Sequence, residues 1–259
     1  MQCDRCNLLY TNPRPHLKDI GSFYESQDYI SHHNTSKSIS DVLYKMVRSY
    51  TLRSKVSLVR KYQNTGSLLD IGCGTGFFLN KAAKNGLNSY GVEPNKTARD
   101  LARTTGITVQ KDFDDYKDHT FDIITMWHVL EHVYDLNSFL IKLNRALNTN
   151  GTIFIAVPNS DSYDAKHYGK HWAAYDLPRH LYHFNQHTFR STIDAHKMKI
   201  VSTIPMKFDA FYVSLLSEKY IRPSSTNYIT FLINGIKSNR FANKNNNNYS
   251  SLIYVIKKA

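Results

Sequence analysis

The chain has 259 residues with 33 Lys and Arg against 21 Asp and Glu, a formal net charge of +12. That length fits one large domain, or one domain with a small appendage, and 41% hydrophobic residues supply the apolar surface that disordered chains lack. Three cysteines exclude a disulfide-stapled scaffold, no apolar run nears the ~20 residues of a membrane span, and the start Met1-Gln2-Cys3-Asp4-Arg5-Cys6 lacks the apolar stretch of a signal peptide, so a cytoplasmic location is expected.

The elements are predicted in chain order from hydrophobic periodicity. Over residues 40–62, Val42, Met46, Tyr50, Val56 and Val59 recur at helical spacing with Lys and Arg between them, an amphipathic helix with its apolar side inward. Strands then alternate with helices: strand 67–71, helix 77–85, strand 89–92, helix 97–105, strand 107–110, strand 121–126, helix 136–147 and strand 151–157. That rhythm implies an α/β fold, a parallel sheet covered on both faces. Residues 159–187 break it, reading as a long irregular loop rich in His, Tyr and Asp, whose aromatics argue against disorder. Helix 186–196, strand 199–208, helix 210–220 and strand 251–257 follow, and the Asn-rich stretch 238–250 reads as a mobile polar loop.

The charge is confined to two flanks. Residues 37–61 hold seven Lys/Arg and one acid, and residues 219–259 hold seven Lys/Arg and none. Both are read either as solvated basic faces or as attraction to an anionic substrate, a nucleic acid or a membrane surface.

Three of eleven glycines fall in Asp70-Ile71-Gly72-Cys73-Gly74-Thr75-Gly76, between a strand and a helix, where glycine lets the backbone approach a ligand and a helix start offers free N–H groups. A carboxylate, Glu93 before Pro94, closes the next strand and suits ribose hydroxyls. A dinucleotide fingerprint would place its third glycine at 77, where Phe77 stands, which sets a nicotinamide oxidoreductase last. Asp70 favours instead a nucleoside bearing an ammonium and a sulfonium.

From residue 66 to 158 these motifs resemble the class I S-adenosylmethionine-dependent methyltransferases: the glycine turn, Glu93, the pair Asp112-Phe113, the strand Phe121-Asp122-Ile123-Ile124, and Trp127-His128-Val129-Leu130-Glu131-His132-Val133. The nearest likeness is to the ubiquinone-biosynthesis-like small-molecule branch, which the segment Asp176-Leu177-Pro178-Arg179-His180-Leu181-Tyr182-His183-Phe184 also resembles. The resemblance implies a Rossmann-like seven-stranded, mostly parallel sheet with helices on both faces, its last strand antiparallel, under an N-terminal helical cap. It implies S-adenosyl-L-methionine as cofactor, S-adenosyl-L-homocysteine (SAH) as product, and Asp70, Gly72, Cys73, Gly74, Gly76, Glu93, Pro94, Asp112, Phe113, Trp127 and His128 as the cofactor-binding set. Cys3 and Cys6, followed by Asn12-Pro13-Arg14-Pro15, resemble the second half of a zinc ribbon. One pair is short of the four ligands of structural zinc, and His16, His32 and His33 match no standard spacing. Residues 1–15 are therefore read as a ribbon remnant without metal, 16–65 as the cap and 66–259 as the catalytic domain, with 159–187 a substrate-side loop.

Methyl transfer from a sulfonium asks the protein to align the reactants and remove a proton, a task for histidine. Five of twelve histidines lie between 167 and 187. His180 is the leading base or substrate anchor, with His183 and His128 beside it, and Arg179 pairs an anionic group. Trp172 and Tyr175 are candidate walls of the acceptor pocket, Tyr24 and Tyr29 candidate lid residues, and Glu131 and His132 read as structural. The expected acceptor is a small, anionic molecule such as a sugar nucleotide, a phosphorylated intermediate or a lipid-linked precursor. An RNA acceptor lacks any recognisable binding module, and a donor-binding protein without catalysis is the reading from another class.

Overall fold

A computed structural model of the chain describes residues 1–24, 39–223 and 228–259, with backbone alone for 22, 39–46 and 228. Tyr29, His32 and His33, and the side chains of Val42 and Met46, lie outside the described residues. Nine strands are described: β1 (Leu9–Tyr10), β2 (Ser67–Ile71), β3 (Asn88–Val92), β4 (Thr108–Gln110), β5 (Phe121–Trp127), β6 (Leu147–Pro158), β7 (Tyr182–His183), β8 (Met198–Pro205) and β9 (Ser251–Lys258). Eight α-helices accompany them: α1 (Ile39–Tyr62), α2 (Phe77–Ala83), α3 (Lys96–Arg103), α4 (Leu136–Ala146), α5 (Tyr163–Tyr168), α6 (Gln186–Asp194), α7 (Asp209–Ile221) and α8 (Tyr228–Lys244).

Seven strands form one sheet in the order β4-β3-β2-β5-β6-β9-β8. The first five are parallel, and β9 runs antiparallel to both β6 and β8. The expected Rossmann-like sheet with an antiparallel last strand is the one observed. Side-chain alternation with period two sends Leu68, Ile123 and Phe154 to the face covered by Val56 and Val59 of α1 and Leu79 of α2. Leu69, Ile124 and Ile155 go to the face covered by Leu140 and Leu143 of α4 and Phe189 of α6. The chain order reverses on either side of β2, at the β2–β5 boundary, so a crevice opens beyond the carboxyl ends of these strands.

Four local readings are corrected. Tyr50, expected inward on α1, is exposed and meets Phe208 edge to ring at 5.5 Å. The stretch 159–187 is largely ordered into α5, two 3-10 turns and β7. The strand expected over 199–208 ends at Pro205. The supposed loop from 238 is helical to Lys244, because α8 turns Asn234, Ser238 and Ala242 inward and so hides the usual apolar stripe. Residues 1–15 do not stand apart: β1 pairs with β7 in register Leu9↔His183 and Tyr10↔Tyr182. Among the described residues no helix is long and apolar enough to cross a membrane.

Candidate functional site

The glycine turn follows β2 at the crevice. Gly72, Gly74 and Gly76 all have positive φ, but their surroundings differ. A Cβ on Gly72 would lie 2.5 Å from Val129, and one on Gly76 2.9 Å from Ala102, whereas nothing lies within 4 Å of the position above Gly74. The turn is packed at both ends and open in the middle, a cleft in which a ligand can touch backbone. Glu93 braces it: Gly74 N–H donates to Oε2 at 2.8 Å and Asn95 N–H to Oε1 at 2.9 Å. Burial raises the Glu93 carboxyl, and those two N–H groups hold it down. Each oxygen keeps lone-pair capacity for a hydroxyl. Arg99, behind, donates to the carbonyls of Glu93 and Pro94 at 2.6 and 2.8 Å.

Asp70 stands opposite Thr125 in the β2–β5 register and accepts from its hydroxyl at 2.6 Å. Burial pushes the Asp70 carboxyl up to about 7, with Thr125 and Lys55 opposing. Lys55 reaches in from α1 and rests 4.3 Å over the Trp127 ring; burial lowers its ammonium, with Asp209 and Asp70 opposing. Trp127 also meets Phe78 at 5.3 Å, and its Nε1 is buried without a partner. Cys73 is a packing group, against which a Cβ on Gly91 would lie 2.8 Å away, and burial drives its thiol far up. Asp112 caps the short turn Phe113–Tyr116, and Phe113 leans on Phe139 at 5.6 Å.

Immediately after β5, His128 adopts φ 59°, a conformation uncommon for a residue with a Cβ. Its amide donates to Ala156 O at 3.0 Å. The twist places its Nε2 3.1 Å from Asp209 Oδ2 and its Nδ1 3.3 Å from Glu131 Oε1. Burial alone would lower this imidazole, but the two carboxylates outweigh it and bring it up to about 9. Glu131 is fully buried; its only hydrogen-bond contact at Oε1 is the long one to His128, and its Oε2 has no hydrogen-bond partner. The imidazoles of His128, His180 and His132 hold it down at about 2 against the burial that would raise it.

His180 donates through Nδ1 to Ala174 O at 2.8 Å, which leaves Nε2 as a lone pair 4.0 Å from Glu131 Oε1 and 3.7 Å from Asp176 Oδ2. Burial lowers this ring to about 4, with Glu131 opposing, so it is neutral at pH 7. His132 meets its edge at 4.5 Å and lies 2.8 Å from Tyr24 Oη. Glu131, His132 and His180 each offer an atom within 4.8 Å of the others, the one such cluster among the described residues. Cys3 and Cys6 belong to none and are free thiols.

The loop candidates divide. His183, lowered by burial to about 4, lies 3.1 Å from Thr11 Oγ1, which donates to His180 O at 2.6 Å. Tyr175 packs edge-on against both His183 and Trp172 at 5.1 Å. Trp172 itself is buried, its indole N–H given to Asp164 at 2.8 Å, which places it in packing rather than on a pocket wall. Arg179 is half-buried and paired with Asp176.

Sequence reading passed over Lys55, Asp209 and Thr11, and read Glu131 and His132 as structural. Lys55 left a signal: with Leu52, Val56 and Val59 it sits at i, i+3, i+4 and i+7, a lysine on the apolar stripe. Asp209 and Thr11 reach the site across the fold and left none.

A family model described as a methyltransferase domain matches residues 44–203. The ubiquinone biosynthesis O-methyltransferase of Actinobacillus pleuropneumoniae is 32% identical over 106 residues, 36% of this chain and 45% of that protein. Its namesake in Bartonella quintana is 32% identical over 118 residues, 41% of this chain and 46% of that protein. The matches thus span about half the length of these curated relatives. Among solved structures, magnesium protoporphyrin IX methyltransferase of Synechocystis PCC 6803 with bound SAH aligns at TM-score 0.61 and 13% identity, over 93% of this chain and 98% of that one. The cyclopropane synthase of Mycobacterium tuberculosis aligns at 0.60 and 12%, over 96% and 100%. At these identities the likeness is one of fold.

Proposed function

The chain belongs to the class I S-adenosylmethionine-dependent methyltransferases, and from that premise we propose that its acceptor is a hydroxyl of a small anionic or lipid-linked molecule, bound beside the histidine–carboxylate cluster after β5. The curated relatives' O-methylation favours oxygen as the acceptor atom. A sugar nucleotide, a phosphorylated intermediate and a lipid-linked precursor all carry such a hydroxyl next to negative charge.

The open cleft over Gly74, flanked by Asp70 and Glu93, fits the donor. Asp70 would face its ammonium, Glu93 its ribose hydroxyls, and Asp112 with Phe113 its adenine. When bound, S-adenosylmethionine supplies a methyl carbon already activated on a sulfonium, which leaves positioning and one proton to the protein.

His180 is assigned that proton. Its Nδ1–H is spent on Ala174 O, so Nε2 is free to accept, and the imidazolium that forms stands beside Glu131 and Asp176. His128 is assigned a different part. Held protonated between Asp209 and Glu131, it cannot accept a proton at pH 7 and instead fixes Glu131 against His180. Arg179, oriented by Asp176, offers its remaining N–H groups to an anionic acceptor.

The observation that carries this reading is a neutral His180 Nε2 next to a buried carboxylate at the sheet edge that also bears the Gly74 cleft. Calorimetry should show donor binding that Glu93→Ala weakens at least tenfold. His180→Gln should lower turnover on a hydroxyl acceptor by about 10²–10⁴-fold with donor affinity unchanged. Full turnover in His180→Gln would remove the base assignment, and unaltered affinity in Glu93→Ala would remove the pocket.

A further inference from the structure

In the α7–α8 hairpin, α8 is built inside out. The buried side of α8 carries Asn234 and Ser238, which donate to Tyr168 Oη at 2.8 Å and to Asp164 at 2.7 Å. The buried side of α7 carries Ser217, which accepts from Ala173 N at 2.9 Å, and Glu218, which accepts from Tyr168 at 3.1 Å. Val213 and Ala210 of α7 add an apolar contact to this polar seam, but α8 is held mainly by polar groups and turns aliphatic side chains to water. Leu232, Ile233 and Ile236 are 47%, 45% and 44% exposed.

At 3.6 residues per turn, Lys237, Arg240 and Lys244 continue the same side of the helix, all exposed. Residues 219–259 contain no Asp or Glu to offset them. A contiguous exposed aliphatic patch marks a docking surface, and the cations set its partner. A second copy seated on this face would bring the same cations toward one another.

We propose that the outer face of α8 docks the protein onto an anionic lipid surface, with Leu232, Ile233 and Ile236 dipping among the acyl chains and Lys237, Arg240 and Lys244 at the headgroups. An amphipathic helix with aliphatic residues beside Lys and Arg lies in the plane of a bilayer, and no described helix is long and apolar enough to cross one. The hairpin also leads to the site, since Asp209 in the first turn of α7 holds His128. The inference stands apart from the acceptor assignment, because docking requires nothing of the histidine cluster.

Co-sedimentation of the full chain with phosphatidylcholine vesicles, plain or mixed with phosphatidylglycerol, tests it. Binding is expected only with phosphatidylglycerol present and should fall as salt rises. Each Lys or Arg near an anionic surface contributes about fivefold. The triple change Lys237→Gln, Arg240→Gln, Lys244→Gln should therefore lower binding at least tenfold, as should Leu232→Ser, Ile233→Ser, Ile236→Ser. Both variants should keep the parent's melting temperature and donor affinity. No binding to phosphatidylglycerol vesicles at low salt would overturn the proposal, and so would undiminished binding by both variants. A concentration-dependent dimer that the serine variant dissolves, without vesicle binding, would reassign the face to self-association.

Discussion

His128 at the end of β5 and Asp209 in the first turn of α7 are 81 residues apart and meet at 3.1 Å, so the strand beside the open cleft over Gly74 is tied to the α7–α8 hairpin. Against the burial that would lower it, this contact and that with Glu131 favour the charged imidazole and together move it from 6.5 to about 9. A raised histidine stabilises the fold fully below its unfolded value of about 6.5 and ceases to do so as pH rises through about 9. With a third of the side chain exposed, screening leaves roughly 1–2 kcal/mol of the shift as stability. Asp209→Asn should return the His128 ring toward its ordinary range by NMR titration. It should also lower the melting temperature at pH 7 but not above pH 9; an unmoved titration would dissolve the pair.

Asp70 predicts a pH dependence of the opposite kind. Its carboxyl is raised by burial to about 7, and only the ionised form attracts an ammonium. Donor affinity should therefore fall by about fivefold from pH 7 to pH 6. A raised carboxylate also destabilises the ligand-free fold as pH climbs from about 4 through 7. Asp70→Asn, which keeps an acceptor for Thr125, should bind the donor more weakly, flatten the profile and melt higher at pH 8. Calorimetry in buffers of different ionisation enthalpy would register the proton released; a flat profile in the parent would count against an ammonium at Asp70.

The turn proposed to hold the donor stood out in the sequence because its parts are local: Asp70, the glycines and Glu93 lie within 24 residues of sequence and repeat the turn chemistry of a strand entering a helix. The sheet was legible for the same reason, each strand being a short apolar run next to its helix. The cluster proposed for the acceptor was legible only in part, through its histidines. Glu131 becomes central only because His128 and His180 arrive from different segments, and Thr11 reaches His180 across 169 residues. Helix α8 escaped because its buried face is polar, which inverts the periodicity that sequence reading relies on.

The glycines of the turn should respond differently to one added methyl. Gly72→Ala meets Val129 at 2.5 Å as well as a positive φ, so it should destabilise the fold outright. Gly74→Ala enters open space and carries only the left-handed conformation, about 1–2 kcal/mol. It should fold, yet lose donor affinity by tenfold or more because the methyl occupies the cleft. Melting curves read beside donor titrations separate the two; full donor affinity in Gly74→Ala would place the donor elsewhere.

Asp164 governs whether the α7–α8 hairpin stays attached. Fully buried, it accepts from Trp172 Nε1 at 2.8 Å, Ser238 Oγ at 2.7 Å and Ser250 Oγ at 2.7 Å, joining α5, the Trp172 turn, α8 and the start of β9. Asp164→Ala would leave three buried donors unmet, at about 1–3 kcal/mol for each that water cannot reach. A net loss of about 3–5 kcal/mol lowers the melting temperature by roughly 10–15 °C at this size. Asp164→Asn keeps the shape and one acceptor oxygen but turns an N–H₂ toward a donor, so it should lose less than half as much. The unfolding should begin locally, with amide exchange rising first in α8 and the Trp172 turn while β2 and β5 stay protected. Uniform loss of protection across the sheet would instead make Asp164 part of the global core.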